Sequence, residues 1–142
     1  MPSLHTPSGS SAAGRGRWTV PAAVVIALHG LAHGVAVVNN FTRASNGRSD
    51  AYLGGAVSIS EPTVLRALAV AWAFVGLGLV LAAGLLVLRP GAAGVPVTAA
   101  LAASLILCVA GVWAAVIGAV LDIALLWVVR RRPEPLFGAA IT

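Results

Sequence analysis

Lysine is missing from this chain, which has one cysteine, one methionine, one tyrosine and four acidic residues. The lone Cys108 excludes an internal disulfide framework, and within an apolar run it reads as a small buried hydrophobe. No Gly-Lys-Ser/Thr follows a glycine cluster, which excludes a phosphate loop. No nucleophile–base arrangement is legible, so the sequence assigns no catalytic residue, no metal ligands and no cofactor. The largest deficit is in polarity. Only 9% of the 142 residues are charged, 59% are hydrophobic, and mean hydropathy is +0.97. A water-soluble globule of this size needs more polar surface than that, so the chain is expected in a bilayer.

What charge there is lies in informative places. With no lysine, all nine basic residues are arginines, and the net charge is +5. Arg15 and Arg17 precede the first apolar run and Arg130, Arg131 and Arg132 follow the last, where anionic headgroups would lie. No aromatic residues interleave a folded basic patch. The expected partner is therefore the lipid bilayer and not nucleic acid.

The apolar runs predict an all-α membrane protein, a bundle of four transmembrane helices. Residues 1–17, rich in Ser, Pro, Gly and Ala, read as a disordered N-terminal tail, residues 18–130 as the transmembrane domain, and residues 131–142 as a short C-terminal tail. Spans are expected at about residues 20–38, 62–88, 95–110 and 113–129, each compared with the ~20 residues that cross a hydrocarbon core. Thr19 and Pro21 form the first helix start; Ser60, Glu61 and Pro62 form the second, with Ser60 as the oxygen cap. The polar, glycine-rich stretch between the first two spans reads as a loop holding a short strand or interfacial turn. Asn40-Phe41-Thr42 within it matches a glycosylation acceptor and reads as idle.

Charge placement decides how the long apolar run from residue 95 to 129 is divided. As a single helix it would leave the C-terminal arginines opposite Arg15 and Arg17. Split near residues 111–115, it places six arginines on one side and Arg43, Arg48 and Arg66 on the other. Both termini are then expected in the cytoplasm, and the protein in the plasma membrane as a multi-pass chain. A cleaved leader is the rival reading of the first span, but the span is longer than a usual leader core and lacks a clear cleavage site.

Two segments carry the polar chemistry. "HGLAHG" in the first span puts His29 and His33 on one helical face with Gly30 and Gly34 beside them, a spacing that admits a close partner helix. "GAVLDIALL" in the fourth repeats the arrangement with Gly118 and Asp122. His29 and Asp122 fall at similar depth, and Ser104 and Thr98 in the third span can complete a cluster. A carboxylate mid-membrane must face the bundle, be protonated or be paired, and histidine is the cation available at that depth. Three readings follow for His29, His33, Asp122 and Ser104. They are a register-fixing hydrogen-bonded cluster, a proton or polar-ligand site, or a metal or haem site in which His29, His33 and Asp122 supply ligands.

With these segments in order, and with "SISEP", "ALAVAWAFVGLGL" and "SLIL" between them, residues 24–129 resemble a family of small uncharacterised four-span bacterial, actinobacterial-type, membrane proteins. The histidine–glycine pair also gives a fainter similarity to DoxX-like four-helix membrane proteins. The resemblance implies a four-span bundle and brings no activity; the family commonly carries an amide where this chain has Asp122. The functional expectation is a structural or accessory helical module that self-associates through Gly30 and Gly34 or pairs with another membrane protein. The alternative is a small proton-coupled carrier or redox-linked protein using the His/Asp cluster.

Overall fold

The computed structural model describes residues 17–111 and 115–131. Four helices account for most of them: α1 (Thr19–Ser45), α2 (Pro62–Leu88), α3 (Gly94–Ala110) and α4 (Val116–Arg131). A two-stranded antiparallel hairpin, β1 (Asp50–Tyr52) and β2 (Val57–Ile59), joins α1 to α2 and pairs Tyr52 with Val57. A 3-10 turn at Pro90–Ala92 joins α2 to α3. Of the expected tails only Arg17 and Arg131 are described, and Arg131, expected to begin the C-terminal tail, is the last residue of α4; the rest of both tails, and Trp113 at the expected start of the fourth span, lie outside the described residues.

The second and third helices fall where the apolar runs place them. The first is longer than expected, because the fall in hydropathy after residue 38 ends the apolar stretch without ending the helix. Asn40 Nδ2 donates to the Ala36 carbonyl and Ser45 Oγ to that of Phe41, so these polar side chains bond back onto the helix they were expected to terminate. The helix stops at Asn46, followed by Gly47 in the left-handed region at φ 62°. The expected caps also shift by one residue. Trp18 takes the cap position of α1 and Thr19 is already helical, while Glu61, not Ser60, caps α2 by accepting from the Thr63 amide at 3.3 Å. The hairpin turn runs through Leu53, Gly54 and Gly55, all at positive φ, a conformation that glycine adopts without a Cβ clash.

α1 and α2 each have 27 residues and are long and apolar enough to cross a membrane; α3 and α4 have 17 and 16. These four helices stack three layers between them. At one end, Ile26, Leu79, Leu86, Val97, Leu101 and Val129 form a dry apolar core drawn from the start of α1, the end of α2, the start of α3 and the end of α4. At the other end, Ala44, Tyr52 and Leu65 pack the hairpin against α1 and α2. Between them lies a buried polar cluster, His29, His33, Ser104 and Asp122, flanked by the buried Trp72 and Cys108. The outer faces carry large apolar side chains. Leu31, Val35, Phe74, Val95 and Ile117 are each at least 67% exposed, while Asp122 and Ser104 are 0% exposed.

α1 and α2 form the closest pair, and glycine makes that possible. A Cβ on Gly30 would lie 2.7 Å from the Gly76 carbonyl oxygen, and one on Gly76 equally close to that of Gly30. Gly34 does not share this role, since a Cβ there would meet nothing within 4 Å. The expected Gly30–Gly34 stripe is therefore a single contact at Gly30; Gly34 lies one turn on, outside the crossing.

Candidate functional site

Ser104 is the hub of the polar layer. Its hydroxyl lies 2.6 Å from Asp122 Oδ2 and 3.1 Å from Nε2 of both His29 and His33. His29 Nε2 also lies 3.0 Å from Asp122 Oδ1, an ion-pair distance without hydrogen-bond alignment, and Oδ1 is buried without a hydrogen-bond partner. Three helices thus converge on one hydroxyl. The i, i+4 spacing on α1 supplies both imidazoles, the apolar periodicity of α3 turns Ser104 inward with Val97 and Leu101, and Asp122 comes from the middle of α4.

Counting protons shows what the arrangement requires. The His29 carbonyl can only accept, so His33 Nδ1, 3.0 Å away, carries a proton and donates it. In a neutral ring His33 Nε2 is then a bare lone pair, and it faces a hydroxyl whose single proton serves the Ser104–Asp122 contact. Two lone pairs 3.1 Å apart repel. Both contacts become attractive when the network holds one further proton, either on the Asp122 carboxyl group, which then donates to Ser104 while Ser104 donates to His33, or on an imidazole beside the carboxylate.

The structure brings together His29, His33, Ser104 and Asp122, as the sequence led us to expect. Gly118 is with them: a Cβ there would lie 3.1 Å from the His29 ring and 2.9 Å from Cys108 Sγ. Thr98 is not part of the cluster, because its hydroxyl donates to the Gly94 carbonyl of its own helix. Two participants were missed. Cys108, read as a packing residue, lies one turn beyond Ser104 with Sγ 4.0 Å from its hydroxyl, and the i, i+4 spacing of the two on α3 was the available signal. Trp72 is the other, buried edge-on to His33 with ring centroids 5.0 Å apart. His29, His33 and Cys108 could each offer a metal-ligating atom within 4.8 Å of the others.

A cavity of about 610 Å³ opens beside this cluster, between α1 and α4. Its inner wall includes His29, His33, Cys108 and Gly118; its far end is lined by Asn39, Asn40, Asp50 and Tyr52. That end is held by a network between α1 and the hairpin. Tyr52 donates to Asn40 Oδ1 at 2.6 Å, Asn39 donates to Asp50 Oδ2 at 2.9 Å, and Arg43 donates to Asn39 Oδ1 and to the Ser49 carbonyl. Burial pushes the Tyr52 phenol above its ordinary pKa, which keeps it protonated as the donor to Asn40. Asn40, set in the idle acceptor motif, is 2% exposed and committed to this latch.

No family model, curated protein or solved structure matches the chain.

Proposed function

We propose that this chain is a four-span integral membrane protein that binds a small ligand at the His29–His33–Ser104–Asp122 cluster, with access from the hairpin side. Large apolar side chains facing outward over four helices, around a polar interior, suit lipid as the surrounding solvent. The arginines fit the same reading. Arg17, Arg89, Arg130 and Arg131 belong to the end that holds the apolar core, and Arg43, Arg48 and Arg66 to the hairpin end, so the core end is cytoplasmic and the hairpin external. Helices of 17 and 16 residues reach ~25 Å, short of a ~30 Å core, and require local thinning of the bilayer.

One observation carries the choice of a binding module over a purely structural one. A cluster that only fixes helix register needs close packing around it, whereas this one borders a cavity running to the polar hairpin end and is sealed from the opposite end by the apolar core. The native Cys108 lines that cavity and is the chain's sole cysteine. In oriented vesicles, a small membrane-impermeant methanethiosulfonate should modify Cys108 from the hairpin side and not from the other. Equal protection from both sides would reduce the cluster to a structural lock.

A further inference from the structure

We propose that the ligand is a divalent transition-metal ion of the zinc class, held by His29, His33 and Cys108 with Asp122 as the fourth ligand. This rests on the reading of the cavity as a binding site and names what enters it. Three separate observations point to the ion. First, the ligating atoms of the two imidazoles and the thiol lie within 4.8 Å of one another and are all buried. Second, Asp122 Oδ1 is fully buried, lacks a hydrogen-bond partner, and lies 3.0 Å from His29 Nε2. Two atoms ~2.0–2.1 Å from one tetrahedral metal stand about 3.3 Å apart, so a shift of a few tenths of an ångström fits this pair to one ion. Third, Gly118 leaves open the space into which Cys108 Sγ and the His29 ring both project, where a Cβ would come within 2.9 Å of the sulfur.

Hydrogen bonds that orient two of these ligands are already in place. His33 Nδ1 donates to the His29 carbonyl, which directs the Nε2 lone pair into the cluster, the usual arrangement of a metal-bound imidazole. Ser104 donates to Asp122 Oδ2 and leaves Oδ1 for the ion.

Charge selects the class of metal. A thiolate and a carboxylate together carry two negative charges, and a divalent ion brings the site to neutrality, which the bilayer interior demands. Two imidazoles, a sulfur and one oxygen suit zinc and its borderline neighbours and disfavour calcium and magnesium, which take oxygen cages. On binding, the Cys108 thiol gives up its proton to water in the cavity and sulfur donates to the metal.

The test uses the full chain purified in detergent, stripped with chelator and titrated with Zn²⁺ or Co²⁺. One Zn²⁺ per chain by elemental analysis is expected, and Co²⁺ should give tetrahedral d–d bands with a sulfur-to-cobalt charge-transfer band. Cys108→Ser should abolish that band and weaken Zn²⁺ binding by more than the ~10–100-fold typical of losing an outer-shell partner, with the helical circular dichroism unchanged. Ser104→Ala should weaken binding within that range. Substoichiometric zinc, or a wild-type cobalt spectrum without the sulfur band, overturns the proposal without recourse to any variant. So does wild-type zinc affinity in Cys108→Ser. If the methanethiosulfonate reaches Cys108 from the hairpin side but no zinc binds, the metal assignment fails and the cavity reading stands. If the metal-free thiol is sealed from both sides, the cavity reading fails and the metal proposal falls with it.

Discussion

Gly30 of α1 and Gly76 of α2 meet backbone to backbone, each placed so that a Cβ would lie 2.7 Å from the other's carbonyl oxygen. No side-chain adjustment relieves such a contact, because the obstructing atom is main chain. Gly30→Ala and Gly76→Ala should each destabilise the protein by roughly 1–3 kcal/mol through forced separation of the helices. Gly34→Ala should be neutral or stabilising by up to ~1 kcal/mol, since the methyl meets open space and alanine favours the helix. Unfolding of the three variants by titration with a denaturing detergent, followed by circular dichroism, separates the two outcomes.

Ser104 bridges the two imidazoles and the carboxyl group, so its removal leaves three buried groups short of a partner. Ser104→Ala should cost about 1–3 kcal/mol. Asp122→Asn should cost less than Asp122→Ala, because the amide still accepts from Ser104. Since both positions act within one network, Ser104→Ala combined with Asp122→Ala should cost less than the sum of the two. A double-mutant cycle measured by the same unfolding assay would show strict additivity if the contacts were energetically idle.

Tyr52 is the chain's single tyrosine, which makes its ionisation separable by absorbance. Its folded pKa is raised by burial, so the stability it confers is fully present below the ordinary value of ~10 and is lost as pH rises through the higher folded value. Alkaline titration should therefore show tyrosinate forming above ~10, together with loosening of the hairpin. Tyr52→Phe should remove about 1 kcal/mol of stability at neutral pH and abolish the tyrosine-linked part of the alkaline decline.

The hairpin latch makes a further prediction about exchange. Asn40→Ala removes the acceptor of the Tyr52 hydroxyl and the side-chain bond from Asn40 to the Ala36 carbonyl. Amide hydrogen exchange in β1, β2 and the last two turns of α1 should accelerate, with α3 and the apolar core unchanged. Equal acceleration throughout would show that the latch is part of the global unfolding unit.

Apolar run lengths made the four helices legible, and the arginine distribution made the break between α3 and α4 legible. His29, His33, Ser104 and Asp122 stood out because a polar side chain in an apolar run has few alternatives to facing its neighbours. Residues whose environment depends on a second element were harder to read. Cys108 is apolar by composition, and its place beside the cluster follows only from its position one turn from Ser104. The last two turns of α1 were obscured because hydropathy reports on the surrounding medium, whereas helix formation depends on local hydrogen bonding. Gly30 and Gly34 look alike in sequence, and only the crossing point of α2 distinguishes them.

The polar site draws on the first, third and fourth helices, and that bears on how the protein is made. During synthesis α1 and α2 emerge before α3, and their glycine contact can join them at that stage, with His33 already against Trp72 and both imidazoles still lacking Ser104 and Asp122. Their partners arrive later, Ser104 with α3 and Asp122 with α4. The polar cluster is therefore complete only once α4 has been made, and a nascent chain stalled before that helix would hold a helical pair with an unfinished centre.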